Sequence, residues 1–185
     1  MNPSPESSDT GRVARFLSRL RRPLAIQFRL VYRFDLADPV PSVKPTVPVA
    51  FEVIPVGPPE SREVVFRGTV SGAEGYRMRI AQRPEEIARL VPFRDVREGD
   101  VFFYDCYTAE DQRGKNLYPA GLTEALRRFQ GRPGQSAYIR VRPDNRPSVR
   151  GIEKAGFRLC GWARHVTILG ISLRPFGRAR GGEGR

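Results

Sequence analysis

The chain has 185 residues, 32 of them Lys or Arg and 20 Asp or Glu, so its formal net charge at pH 7 is +12. That is the length of one domain, and with 39% hydrophobic residues it can bury a core, which excludes wholesale disorder despite 17 Pro and 18 Gly. No apolar run reaches the roughly 18 residues that a membrane-spanning helix needs.

Residues 1–10 read as polar, disordered chain. Between Gly11 and Arg22, Val13, Phe16, Leu17 and Leu20 recur at helical spacing opposite Arg12, Arg15, Arg19 and Arg22, until Pro23 stops the pattern. Such a short basic amphipathic helix either packs on its own domain or makes peripheral contact with an anionic membrane surface through residues 11–22. From Leu24 to Leu36, Ile26, Phe28, Leu30, Tyr32 and Phe34 alternate with Gln27, Arg29, Val31, Arg33 and Asp35, the period of a half-buried strand. Residues 39–59 hold seven of the 17 prolines. That density excludes a helix and leaves extended chain, with one short edge strand around Val49–Val56. Val64–Val70 and Tyr76–Ala81 read as a hairpin about a turn at Gly72–Gly75, and Pro84 opens a short helix to about Val91.

From Asp100 the pattern becomes regular. Val101–Thr108 is an apolar and aromatic strand, Arg113–Asn116 a polar turn and Leu117–Gln130 a helix. Ala137–Val141 is a strand, Asn145–Ala155 a helix closed by Gly156, and Phe157–Gly161 and Arg164–Leu173 are further strands. This alternation predicts adjacent parallel strands joined by right-handed crossovers. The chain thus divides into a tail and helix over 1–23, a domain over 24–173 and a disordered basic tail over 174–185.

The position of the charge narrows the partner. Each end, before residue 25 and after residue 173, carries +3, so half of the excess lies outside the domain. A nucleic-acid-binding face would concentrate it within the fold among aromatics, which argues against that partner. Cys106 and Cys160 are too few and too far apart for a disulfide framework, and the one histidine, His165, leaves no cluster for a metal. A cytoplasmic protein with reduced thiols and no metal is expected, since the N-terminus has no continuous apolar segment for export.

The segment Glu110-Asp111-Gln112-Arg113-Gly114-Lys115-Asn116-Leu117 joins a buried strand to a helix start. Unpaired amides of a first helical turn, the helix dipole and a glycine that admits close approach make an anion site there. By itself the loop does not distinguish that site from an exposed turn. A second segment, residues 144–157 (DNRPSVRGIEKAGF), follows the next strand and starts the next helix at Asn145 and Ser148.

The two segments together resemble the GNAT acyltransferase superfamily over roughly residues 98–170. Gln112-Arg113-Gly114-Lys115 is similar to its pyrophosphate-binding motif, and Asn145, Ser148, Glu153, Lys154, Gly156 and Phe157 to its following crossover. The resemblance implies an α+β fold with an α/β-like C-terminal half, in which a mixed, splayed β-sheet is flanked by helices. It implies acetyl-CoA as acyl donor, with pantetheine between the parted strands along Tyr107 and Thr108. Gln112 and the amides from Arg113 through Gly114, Lys115, Asn116 and Leu117 would take the pyrophosphate, and Asn145 and Ser148 would border the cofactor. The chain departs from the pattern in two respects. Asn116 and Tyr118 replace the later glycines of the loop, so Asn116 must make the unusual turn. The tyrosine that many members use as general acid is Ile152 here.

Transfer of an acyl group to an amine needs a proton acceptor, donors for the thioester carbonyl and, optionally, an acid for the thiolate. Asp105 and Glu110 are the candidate bases, and Tyr118, ahead of Tyr104 and Tyr107, is the candidate acid. Asp105 and Cys106 alternate along one strand, so only one faces a given side. A Cys106/His165 nucleophile pair is disfavoured, and Trp162 reads as core or as a wall of the acceptor cleft. The expected function is an acyl-CoA-dependent N-acyltransferase, most simply an N-acetyltransferase, acting on a small or glycan-linked amine. The competing readings are a non-catalytic CoA- or anion-binding domain of the same shape and a basic membrane- or polyanion-binding module.

Overall fold

A computed structural model describes residues 25–91, 96–168, 171–173 and 176–178. The amphipathic segment expected at 11–22, and the end of the chain from 179, lie outside the described residues. Among the described residues the elements are β1 (Ala25–Asp35), β2 (Ala50–Val56), β3 (Glu63–Val70), β4 (Ala73–Ala81), α1 (Pro84–Leu90), β5 (Val101–Thr108), α2 (Leu117–Phe129), β6 (Ser136–Val141), α3 (Arg146–Lys154), β7 (Arg158–Ile168), β8 (Ile171–Leu173) and β9 (Phe176–Arg178).

The strands form one mixed sheet in the order β2-β3-β4-β5-β6-β1-β7-β8, with β9 also on β7. Only β5 and β6 run parallel; the other pairings are antiparallel. The expectation of adjacent parallel strands therefore holds for β5–β6 and fails for β6–β7. β1 lies between those two, with Tyr32 opposite Ile139 on one side and Leu159 on the other. Its sequence suits a central position, because both faces are buried. Tyr32 and Phe34 enter the main core, whereas Val31 enters a second cluster across the sheet.

Helices α2 and α3 cover one face. Leu117, Leu122 and Leu126 of α2 and Ile152 of α3 pack on Tyr76, Met78, Phe103 and Ile139, each side chain contributing about 1.5–3 kcal/mol through burial. On the other face Ile87 of α1 closes over Val31, Phe102 and Tyr138. The Pro-rich stretch after β1 is extended, as expected. It runs along α2, and Thr46 N donates to Lys115 O at 3.0 Å.

Three boundaries differ from the sequence reading. The hairpin turn is Ser71–Gly72, both with positive φ, so Ala73 to Gly75 belong to β4. The two strands expected between Phe157 and Leu173 are one long β7 followed by β8. β9 falls in the stretch assigned to the disordered tail, because the outer edge of β7 offers open ladder groups to which it pairs.

Candidate functional site

β5 and β6 are held together at one end and part at the other. At the closed end Asp100, 2% exposed, accepts from Arg97 N at 2.8 Å and from Ser136 N at 2.7 Å, tying the start of β5 to the start of β6. The ladder then covers three rungs and stops at Phe103–Ile139, although β5 continues to Thr108 and β6 to Val141. A bulge turns β5 away. Arg79 faces Tyr104 and Arg77 faces Tyr107, so β5 carries one extra residue in this interval, and Asp105 has φ 48°. The bulge also breaks the alternation read from sequence. Cys106 packs on the α2 side of the sheet, while Tyr104 and Tyr107 both lie across it, under the guanidinium groups of Arg79 and Arg77 at 5.6 and 5.4 Å.

The two helices that follow these strands both start at the open end, the position where open α/β sheets present ligand crevices. After a single 3-10 turn at Glu110–Gln112, Gly114 takes φ 78° and Asn116 φ 56°, ψ 14° as the residue before α2. Asn116 thus makes the left-handed turn that the missing glycine would have made. Among the described residues the amides of Gly114, Lys115, Asn116, Leu117 and Tyr118 have no backbone carbonyl partner, so they form a cluster of donors at the positive end of a helix. The expectation that Arg113 contributes its amide is corrected, because Arg113 N already donates to Glu110 O at 3.2 Å. No protein atom lies within 4 Å of a Cβ built on Gly114. Its left-handed dihedral, rather than crowding within the protein, is what requires glycine there. Across the opening, Asn145 caps α3, its Oδ1 accepting from Ser148 N at 3.3 Å.

Between these elements lies a cleft of about 920 Å3. Of the residues assigned from sequence to the cofactor, Tyr107, Thr108, Gln112, Arg113, Gly114, Asn116, Leu117, Asn145 and Ser148 line it. Lys115 does not. Its Nζ donates to Gln112 Oε1 at 3.1 Å, and its carbonyl holds Thr46. Of the three candidate catalytic residues, Tyr118 lines the cleft. Glu110 stands outside on the 3-10 turn, its side chain 89% exposed and 3.5 Å from Arg113 Nη1, and Asp105 is exposed at the bulge, also outside the lining. Sequence reasoning gave no site role to Arg150, Gly151 or Lys154, which form the α3 wall. The four-residue spacing of Arg150 and Lys154 was the available signal.

Tyr118 is fixed from three sides. Its ring lies against Gly151, where an added Cβ would fall 2.5 Å from Cδ1. It packs on Tyr76 at 6.3 Å between centroids, and its phenol interacts electrostatically with the Cys106 thiol. Burial, followed by that interaction with Cys106, raises the Tyr118 pKa well above the usual phenol range, so the group remains a proton donor at neutral pH. Burial likewise pushes the Cys106 thiol up to about 12. It is therefore neutral, which removes the thiolate that a nucleophilic role needs. Ile152, where the resemblance would place a general acid, is fully buried in the core and does not line the cleft. Trp162 is 37% exposed and pairs with Phe28 at 6.5 Å, away from the cleft lining.

No protein-family model matches the chain, and no curated protein matches it. Among solved structures it is similar, at 13% identity, to a protein from Novosphingobium aromaticivorans assigned to the GNAT family of acetyltransferases, with a TM-score of 0.49 over 76% of this chain and 63% of that one. It is also similar, at 13% identity, to a GNAT-family acetyltransferase from Colwellia psychrerythraea, with a TM-score of 0.47 over 78% of this chain and 55% of that one. The chain thus spans less than two thirds of the length of either. Among the described residues no helix is long and apolar enough to cross a membrane.

Proposed function

We propose that this chain is an acyl-CoA-dependent N-acyltransferase, specifically an N-acetyltransferase, acting on a small or glycan-linked amine. One observation carries the reading: an unpaired strand edge on β5 leads directly to the free amides that open α2. A CoA thioester is an extended, amide-bearing chain that ends in a pyrophosphate. A slot with one open ladder edge and a helix-start anion site suits both parts.

When bound, the thioester supplies the activated acyl group. The amides of Gly114, Asn116, Leu117 and Tyr118 would hold the pyrophosphate, with Gln112 and Arg113 beside them. The free edge of β5 at Tyr107 and Thr108 aligns the arm, and Asn145 and Ser148 close the α3 side. Tyr118, kept protonated, donates a proton to the departing thiolate, with neutral Cys106 beside it. Asp105 takes the ammonium proton of the acceptor through water.

Calorimetric titration with acetyl-CoA, followed by thiol release across a panel of amines, tests this. Binding with release is expected, and Tyr118→Phe should lower kcat by about 100-fold while leaving acetyl-CoA affinity within a few-fold. Binding without release from any amine would favour the non-catalytic CoA-binding domain. The absence of binding at millimolar ligand would reject both.

A further inference from the structure

Helix α3 carries its charges on two sides. Its one acidic residue, Glu153, accepts from the Tyr32 hydroxyl at 3.0 Å on the sheet side. Arg146, Arg150 and Lys154 follow one another at four-residue spacing, where like charges repel, and Arg146 in addition sits at the positive end of the helix dipole. Arg113, Arg150 and Lys154 are the cations on the cleft wall. Arg113 pairs with Glu110 at 3.5 Å, and Lys154 Nζ donates to Asn116 Oδ1 at 3.0 Å. Arg150 has neither an ion pair nor a hydrogen bond among the described residues. Among the described residues no protein anion pairs with this column of cations, and of its two unengaged guanidiniums, Arg146 and Arg150, Arg150 is the one on the cleft.

We infer that Arg150, supported by Lys154, forms a second anion subsite that takes a phosphomonoester of the ligand. This rests on the acyl-CoA reading and adds to it a discrimination between CoA and dephospho-CoA. The division of labour follows from chemistry. A pyrophosphate inside a chain is met by converging uncharged amides, and the opposite wall of the cleft already supplies those. A terminal phosphomonoester carries close to two charges at pH 7 and three acceptor oxygens, which a guanidinium matches with two parallel N–H donors.

Calorimetry on the full-length protein with acetyl-CoA and with its 3′-dephospho analogue, for the wild type and for Arg150→Gln, tests the subsite. The wild type should bind acetyl-CoA about tenfold more tightly than the dephospho analogue. Arg150→Gln should abolish that preference by weakening acetyl-CoA alone, with an unchanged thermal melt as the control for folding. Equal affinity of the wild type for both ligands overturns the subsite, as does a variant that weakens both alike. Failure of the wild type to bind either ligand rejects the acyl-CoA reading itself, an outcome distinct from equal binding of both.

Discussion

Two partly buried side chains beside the cleft tie the protein's stability to alkaline pH. The Cys106 thiol rises from its ordinary value of 9.0 to about 12 in the folded protein, chiefly through burial, and the Tyr118 and Tyr76 phenols rise for the same first reason. A raised pKa means that the folded state retains a proton that the unfolded chain releases. The stabilising contribution of Cys106 is thus fully present below pH 9 and is lost as pH climbs towards about 12. Denaturant unfolding at pH 8, 9 and 10 should show stability falling above 9, and Cys106→Ala should remove about one proton from that slope. An identical slope in the variant would mean that the thiol is not buried as described. At this scale the sequence was legible where backbone chemistry dictates the residue: Asn116 was expected to make a left-handed turn, and it does. The seat of Tyr118 was not legible, because the space for its ring is created by Gly151, a residue 33 positions away that sequence spacing does not connect to it.

Among the elements, the parallel pair β5–β6 has the greatest consequence, since the cleft exists only where that pair parts. Asp100 fixes where the pairing begins by accepting from two backbone amides in a buried place. Asp100→Ala leaves both amides without an acceptor and should cost about 2–4 kcal/mol in denaturant unfolding. Asp100→Asn keeps one carbonyl acceptor and should recover roughly half of that loss. If both variants unfold like the wild type, the clamp contributes nothing. Strands and helices from Asp100 onward were readable because hydrophobic period, Pro, Gly and cap residues agree there. The insertion of β1 between β6 and β7 was not, because alternation specifies which face a residue takes and says nothing about which strand lies beside it. The bulge at Asp105 escaped for a related reason. It is set by how β5 must twist against β4, and the one residue type in VFFYDCYT that tolerates a left-handed φ, Asp105, is too weak a signal alone to place it.

For the whole molecule the question is which anion the net charge of +12 serves. Within the described domain many arginines are already paired: Arg67 with Glu52, Arg79 with Glu63, Arg127 with Glu124 and Arg142 with Asp144. Such exposed pairs add little stability, but they do neutralise the surface that a polyanion would have to use. One group of unpaired donors lies together at the cleft, the amides opening α2 and Arg150. A single small multivalent anion should therefore stabilise the fold more than a polyanion does. At about one hundred times its dissociation constant, acetyl-CoA should add roughly 2.7 kcal/mol to stability. That corresponds to a rise of about 5–10 °C in the thermal midpoint for a domain of this size. Duplex DNA at matched phosphate concentration should shift the midpoint far less, and the small shift should vanish between 50 and 200 mM salt, as counterion release demands. A larger, salt-sensitive shift with DNA than with acetyl-CoA would reverse the assignment, placing the partner of the arginines on an open surface of the protein and leaving the gap between β5 and β6 without a ligand.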